Sequence, residues 1–341
     1  MEAIILAGGF GTRLRPLTFT RAKSLLPILN RPMISYLIEM MPPQVDTVII
    51  AANYRKNQIE QYFKEHDCGK KIIINDEPKP LGTGGATKFA EQHISGSFFV
   101  LNSDIICSLD LTEMMAYHKK KHAVTTISLW PVENVSEFGV VDITPKGNVV
   151  GFVEKPKPED APSDLINAGA YLLEPKVLDY IDTGRLVSME KEIFPQIIND
   201  TGKFYGYRFE GFWIDVGRIT SYLDVHQMLL KKEGIDQFIG ENCVIQGDIK
   251  HSSIGDDVII GDANVQQSIV LDHSSIANGV RLKHCVIGEN CSIEDNVVLT
   301  HVAVGDNETI IAETTLENQV VWTQPEPEGY PKKQIGNVIG E

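Results

Sequence analysis

The chain has 341 residues, 43% of them hydrophobic and 23% charged, which is enough length for two domains and a sizeable core in a protein of ordinary globular composition. Its 46 acidic residues outweigh 31 Lys and Arg, and the net charge of −15 excludes non-specific binding to nucleic acid or anionic membranes, which demand basic surfaces. Five cysteines, odd in number and without a Cys-x-x-Cys pair, argue against a zinc site or a disulfide framework; with no leader-like segment and no apolar run of membrane length, a cytoplasmic location is expected.

The first two-thirds of the chain alternates short apolar runs with helical stretches. Ala3-Ile4-Ile5-Leu6 reads as a strand, followed by a helix around residues 33–40. Thr47-Val48-Ile49-Ile50-Ala51 is a second strand and residues 57–64 a second helix. Lys71-Ile72-Ile73-Ile74 is a third strand, a helix opens near Gly84 and reaches Glu91, and Phe98-Phe99-Val100-Leu101 follows. Continuous apolar strands separated by helices predict a Rossmann-like α/β domain with a mostly parallel sheet covered on both faces. Ligands of such sheets sit at the carboxyl ends of the strands. The Gly8-Gly9 loop and Asp104 both fall there. A helix over 219–232 is broken by Glu233-Gly234, which sets the domain boundary: 1–233, then 234–341.

Beyond the boundary the texture changes. Ile254-Gly255 and Ile260-Gly261 are six residues apart, as are Ile287, Ile293 and Leu299. An inward-pointing aliphatic residue every six positions, amid glycine and small polar or acidic residues, predicts a hexapeptide β-helix with about eighteen residues per coil and about four coils. Slips in the period at His251–Ser253 and Gln266–Ser268 predict bulges or longer turns. His251, His273, His284 and His301 could include an acyltransferase base, but a short array with scattered histidines reads first as a stabilising and dimerising scaffold. The tail ends in Ile335-Gly336-Asn337-Val338-Ile339-Gly340, read as a last docked strand.

The loop after the first strand is the most informative stretch. Gly8-Gly9-Phe10-Gly11-Thr12-Arg13 fits neither the Gly-x-Gly-x-x-Gly dinucleotide pattern nor a P-loop, which needs Gly-Lys-Ser/Thr. Glycines still allow a polyphosphate close to backbone N–H groups, and Arg13, Arg15 and Lys23 follow with cationic side chains. Two carboxylates carried by separate strands, Asp104 after 98–101 and Asp215 after 212–214, suit Mg2+, a hard ion that takes a few carboxylates together with phosphate oxygens and water.

Residues 6–18 with Lys23-Ser24-Leu25-Leu26-Pro27 resemble the signature of sugar-1-phosphate nucleotidyltransferases. Further blocks match in the same order: Leu81-Gly82-Thr83-Gly84-Gly85-Ala86, Leu101-Asn102-Ser103-Asp104, Glu137-Phe138-Gly139-Val140-Val141, Phe152-Val153-Glu154-Lys155-Pro156, Asn167-Ala168-Gly169 and Trp213-Ile214-Asp215-Val216-Gly217. The Glu-Phe-Gly-Val-Val block, residues 188–195 and the C-terminal repeats are most similar to mannose-1-phosphate guanylyltransferases. Ser24 departs from the proline that many members carry after the lysine.

The resemblance implies a left-handed parallel β-helix after the catalytic domain, a homo-oligomer, and a reaction in which a sugar-1-phosphate oxygen attacks the α-phosphorus of a nucleoside triphosphate and displaces pyrophosphate. The attacker is already an anion, so cations and a metal are required, not a general base. Arg13 and Lys23 would bind the β- and γ-phosphates, with Gly9, Gly11 and Thr12 completing the loop. Leu6, Ala7 and Gly8 would present backbone to the base, while Gly82 and Gly85 would allow it to stack closely. Glu77 can accept both the N1–H and the exocyclic amine of guanine, where pyrimidine-selective relatives tend to carry glutamine, so GTP is favoured. Lys155 would contact the sugar phosphate; Glu154, Asn167 and Gly139 would form the sugar pocket; Asp104 and Asp215 would hold Mg2+ between nucleotide and sugar phosphate. Strand alternation sends Glu154 and Lys155 to opposite faces, which weakens a joint role. The rival readings are UTP or dTTP with glucose 1-phosphate, a non-catalytic regulatory subunit that senses nucleotide sugars, and a bifunctional enzyme with a C-terminal acyltransferase.

Overall fold

A computed structural model describes residues 1–327. The chain forms two compact units, and they do not divide it by sequence order. The first comprises Met1–Gly9 and Ile34–Trp213; the second comprises Phe10–Met33 and Ile214–Glu341. The 233/234 position lies within the second unit. It marks the end of a helix there, and Gly234 takes the left-handed conformation (φ 69°) that closes helix ends.

In chain order the strands through the first two-thirds are β1 (Glu2–Leu6), β2 (Pro27–Ile28), β3 (Arg31–Pro32), β4 (Thr47–Ala52), β5 (Lys71–Asp76), β6 (Phe98–Asn102), β7 (Ile105–Cys107), β8 (Thr125–Pro131), β9 (Gly139–Ile143), β10 (Val149–Glu154), β11 (Leu165–Leu173), β12 (Phe204–Arg208) and β13 (Trp213–Asp215). The helices are α1 (Met33–Glu39), α2 (Lys56–Glu65), α3 (Gly82–Phe89), α4 (Leu111–Lys121), α5 (Phe194–Thr201) and α6 (Ile219–Glu233). The sheet of the first unit runs β10-β9-β11-β6-β1-β4-β5, with β8 on β11 and β12 on β8. Its half formed by β6, β1, β4 and β5 is parallel, as the continuous apolar runs predict. The other half, from β11 outward, is largely antiparallel, so the sheet is mixed. The predicted strands recur within a residue or two; the third helix opens at Gly82 rather than Gly84.

Register explains the core. Ile4, Ile49 and Val100 lie side by side on neighbouring strands, fully buried on one face with Ala86 and Ala90 from the α3 segment and Phe194 and Ile197 of α5. Each such aliphatic side chain contributes about 1.5–3 kcal/mol on leaving water. Because Leu6 pairs with Asn102 on the parallel neighbour, the loops that leave β1 and β6 emerge at the same sheet end.

The C-terminal part of the second unit is a stack of parallel two- to three-residue strands in a curled sheet, consistent with a left-handed hexapeptide β-helix. Ile254, Ile260, Ile287, Ile293 and Leu299 all point into its core. Coils are shorter than eighteen residues: the register steps from Val244 to Ile259, Ser275, Ser292 and Thr309. The shortening falls at the corners, where single residues in the left-handed conformation turn the chain. One corner ladder is His251, Gln267, His284, His301 and Asn318; another is Asn242, Asp257, His273, Asn290 and Asn307, all at φ between 47° and 61°. His, Asn and Asp tolerate this conformation better than other residues with side chains. The four histidines thus hold corners, and His284 stacks on His301 with ring centroids 4.7 Å apart. The slips at 251–253 and 266–268 are these corners, each followed by an inward serine, Ser252 and Ser268. Ser252 Oγ accepts from the Ser268 N–H and Ser268 Oγ from the Cys285 N–H, so hydroxyls satisfy backbone donors inside the stack. The expected strand at 335–340 lies outside the described residues.

Candidate active site

β1 delivers the start of the loop. Leu6 ends the strand, Ala7 N–H still donates to Ala51 O (2.8 Å), and Leu6 O accepts from Ser103 N–H (3.3 Å). Gly8 follows beside a buried carboxylate: a Cβ added there would lie 3.9 Å from Glu77 Oε2. Gly9 is exposed with open space where a side chain would be. Glu77 follows β5, is 5% exposed, and accepts from the Leu81 N–H at 3.4 Å. Burial raises its pKa; the Leu81 N–H works in the opposite direction. Asp104, half-buried, lies in the turn just after β6, at the same sheet end as Leu6 and Gly8.

Gly82 and Gly85 need glycine for a reason the sequence did not reveal. A Cβ at Gly82 (φ 72°) would sit 2.6 Å from Val187 O, and one at Gly85 would sit 2.5 Å from Arg185 O. Packing of α3 on the 185–187 segment accounts for glycine at both positions, independently of any role beside the base.

The sugar-pocket candidates assemble on β9, β10 and β11. Gly139 pairs with Glu154, and a Cβ at Gly139 would meet the Phe152 ring at 2.5 Å and Glu154 Oε2 at 2.9 Å, so glycine leaves room for that carboxylate. β10 ends at Glu154. Lys155 then takes φ 51°, with its N–H on Phe138 O (3.0 Å). Alternation therefore stops at Glu154, and the objection to a joint role for the two side chains falls away. Lys155 is exposed, and its charge tempers the raised pKa of Glu154. Asn167 donates to Tyr171 OH (2.8 Å) and accepts from the Gly169 N–H (3.0 Å), at a register break in β11.

Sequence reasoning missed the centre of this group, Glu190. Its carboxylate accepts from Thr83 Oγ1 and Ser188 Oγ, both at 2.7 Å, and from Tyr171 OH at 3.4 Å. The signal was present in the matching block 188–195, but nothing local says that Glu190, rather than Glu192, turns inward. Burial and then Glu190 push the Glu154 pKa up, against Lys155 and Lys191. A carboxyl whose folded pKa is raised contributes most at low pH and loses that contribution as pH rises above its unfolded value of about 4.5. Glu154→Gln should therefore gain thermal stability relative to the parent between pH 4 and pH 7; melting curves across that range would refute this if the difference stayed flat.

Within the second unit, residues 10–33 carry the remaining candidates. Gly11 is left-handed (φ 65°), its carbonyl accepts from Thr18 Oγ1 (2.9 Å), and a Cβ there would meet Thr18 at 2.8 Å and Lys23 at 3.2 Å. Thr12 opens a short 3-10 turn to Leu14, and Arg13 within it is exposed. Arg15 is 5% exposed, its guanidinium 5.2 Å from the Phe19 ring centroid, so it braces the loop. At Gly217 a Cβ would lie 2.8 Å from Arg13 Nη2 and 3.0 Å from Asp215 Oδ1. Glycine at that position lets the Arg13 guanidinium and the Asp215 carboxylate come close.

Comparison with known proteins agrees with this architecture. The model of the nucleotidyl transferase family matches residues 2–232, and that of the GlmU-like C-terminal hexapeptide matches residues 226–321. The chain belongs to the nucleotidyl transferase family. It is 38% identical over 305 residues to the probable mannose-1-phosphate guanylyltransferase 2 of Arabidopsis thaliana, covering 84% of this chain and 81% of that protein. It is 40% identical over 231 residues to the mannose-1-phosphate guanyltransferase of Saccharomyces cerevisiae, covering 65% and 63%. Among solved structures, HddC from Yersinia pseudotuberculosis complexed with GMP-PN aligns at a TM-score of 0.57 and 27% identity, over 67% of this chain and 99% of that one. A UDP-glucose pyrophosphorylase complexed with UDP-glucose aligns at 0.60 and 25%, over 68% and 98%. Among the described residues, no helix is long and apolar enough to cross a membrane.

Proposed function

We propose that the protein transfers the guanylyl group of GTP to mannose 1-phosphate, releasing pyrophosphate and forming GDP-mannose. A phosphate oxygen of the sugar phosphate attacks the α-phosphorus. The bond from that phosphorus to the bridging oxygen breaks, and its electron pair leaves with pyrophosphate. No proton need move, so the residues work by holding and neutralising charge.

Leu6, Ala7 and Gly8 present backbone to the base, and the Glu77 carboxylate accepts from its N1–H and amine. Gly9, Gly11 and Thr12 give the polyphosphate close backbone approach. Arg13 and Lys23 hold the β- and γ-phosphates and the departing pyrophosphate. Lys155 takes the sugar phosphate. Glu154 and Asn167 take sugar hydroxyls beside Gly139. Asp104 and Asp215 offer hard oxygen donors of the kind Mg2+ prefers, and their donor chemistry fits that ion. When bound, Mg2+ would offset charge on the phosphate oxygens. We further read the protein as a cytoplasmic homo-oligomer; its five cysteines are free thiols, as suits a reducing compartment.

The observation that carries the guanine assignment is a 5%-exposed Glu77 carboxylate beside Gly8 at the carboxyl end of β1. A panel of GTP, ATP, UTP and dTTP against mannose 1-phosphate and glucose 1-phosphate, read by pyrophosphate release, tests it. GTP with mannose 1-phosphate should give the highest kcat/KM. Preference for UTP or dTTP would overturn the base assignment, and no turnover with any pair would favour a regulatory subunit.

A further inference from the structure

The segment 10–33, which carries Arg13 and Lys23, packs within the same compact unit as the β-helix coils. Its attachment is specific and spans several coils. Arg21 Nη1 donates to Glu289 Oε1 and Nη2 to Asp306 Oδ2, each at 2.6 Å. Asp306 is 3% exposed; its other oxygen accepts from the Glu289 N–H at 2.8 Å, and Thr20 Oγ1 also donates to Oδ2. One carboxylate thus ties two coils together and grips two consecutive residues of the segment. Asn30 Nδ2 donates to Asp256 Oδ1 (2.7 Å), Tyr222 OH donates to Pro27 O, and Phe19 packs on Trp322 with centroids 4.9 Å apart. Burial opposes the Arg21 charge, but the two carboxylates outweigh it and its pKa is raised, so the guanidinium stays charged.

We propose that Arg21, held by Glu289 and Asp306, is a positioning residue: through it the β-helix fixes the segment that presents Arg13 and Lys23 to the triphosphate. Arg21 itself faces protein carboxylates, not substrate. Lys23 is two residues away, and its Cβ packs where Gly11 leaves no room for a side chain. Loosening Arg21 therefore shifts a cation whose placement matters for the leaving pyrophosphate. The β-helix then does more than stabilise or dimerise: its coils carrying Glu289 and Asp306 set the geometry of phosphate binding. This rests on the reading of Arg13 and Lys23 as the phosphate-binding cations.

The test uses the full chain with Arg21→Met, Arg21→Lys, Asp306→Asn, Glu289→Gln and the double variant Arg21→Met with Asp306→Asn. Misplacing a reacting group from a distance lowers rates by roughly 10- to 100-fold. Arg21→Met should lose that much kcat while KM for the sugar phosphate is unchanged. Arg21→Lys, which keeps the charge, should recover much of the loss, and the double variant should be no worse than Arg21→Met alone. Amide exchange across 10–33 should speed up while that of β1 stays as in the parent. If Arg21→Met does not fold by circular dichroism, Glu289→Gln, which removes one of the two ion pairs, should show the same split at smaller amplitude. Parental kcat, or unchanged exchange across 10–33, in a folded variant would overturn the proposal. If the parent turns over no substrate pair, the enzymatic reading fails on its own, and the exchange measurement decides whether Arg21 holds the segment.

Discussion

Asp104→Asn and Asp215→Asn should each lower kcat by roughly 10²–10³-fold, the scale on which removing one fixed electrostatic partner of a developing anion acts. Asparagine keeps the shape and one oxygen but loses the charge that draws a divalent ion out of water. Both variants should need more Mg2+ for half-maximal rate, and chelation should abolish turnover in the parent. The two should differ in one respect. Asp215 and the Arg13 guanidinium both approach the Gly217 position, so loss of the Asp215 charge also changes the field around the cation we assign to the β- and γ-phosphates. Asp215→Asn should therefore raise KM for the nucleotide as well, whereas Asp104→Asn should act mainly on kcat. Magnesium titrations of rate decide this, and parental rates with an unaltered magnesium requirement in either variant would remove that residue from the metal site.

Glu77→Gln should lower kcat/KM for GTP by roughly 100-fold, because a site built to pair with two donors of one base discriminates strongly when an acceptor becomes a donor. Rates with UTP should not fall. Thermal stability should not fall either: a carboxylate 5% exposed carries a desolvation penalty that an amide lacks, and glutamine keeps an oxygen for the Leu81 N–H. Equal losses for GTP and UTP, or an early melt, would mean that Glu77 supports the loop and does not read the base.

Much of the fold was legible because its signals are local. The parallel half of the sheet came from apolar runs such as Phe98-Phe99-Val100-Leu101, whose burial on both faces leaves no alternation to mistake. The β-helix came from its six-residue period. Four site features were less readable. Glycine at 82 and 85 suits a ligand and a neighbouring segment alike, and the close approach of Val187 and Arg185 is a contact that no local pattern shows. The disagreement over Glu154 and Lys155 came from extending strand alternation one residue past the end of β10, into a position with φ 51°. The corner histidines resembled scattered surface groups because corners recur every 15 to 17 residues, out of step with the hexapeptide period. Arg21 gave no sign at all. Its partners are 268 and 285 residues away, and no local pattern distinguishes a buried arginine from a solvated one at that range.

That long reach has a consequence for biosynthesis. The segment 10–33 is translated well before Asp256, Glu289, Asp306 and Trp322. At about 5–20 residues per second, tens of seconds separate Arg21 from its anchors. Through that interval the segment lacks the partners that hold it, and translation of the coils carrying them completes its attachment. A chain cut short before those coils would carry residues 10–33 with none of these anchors.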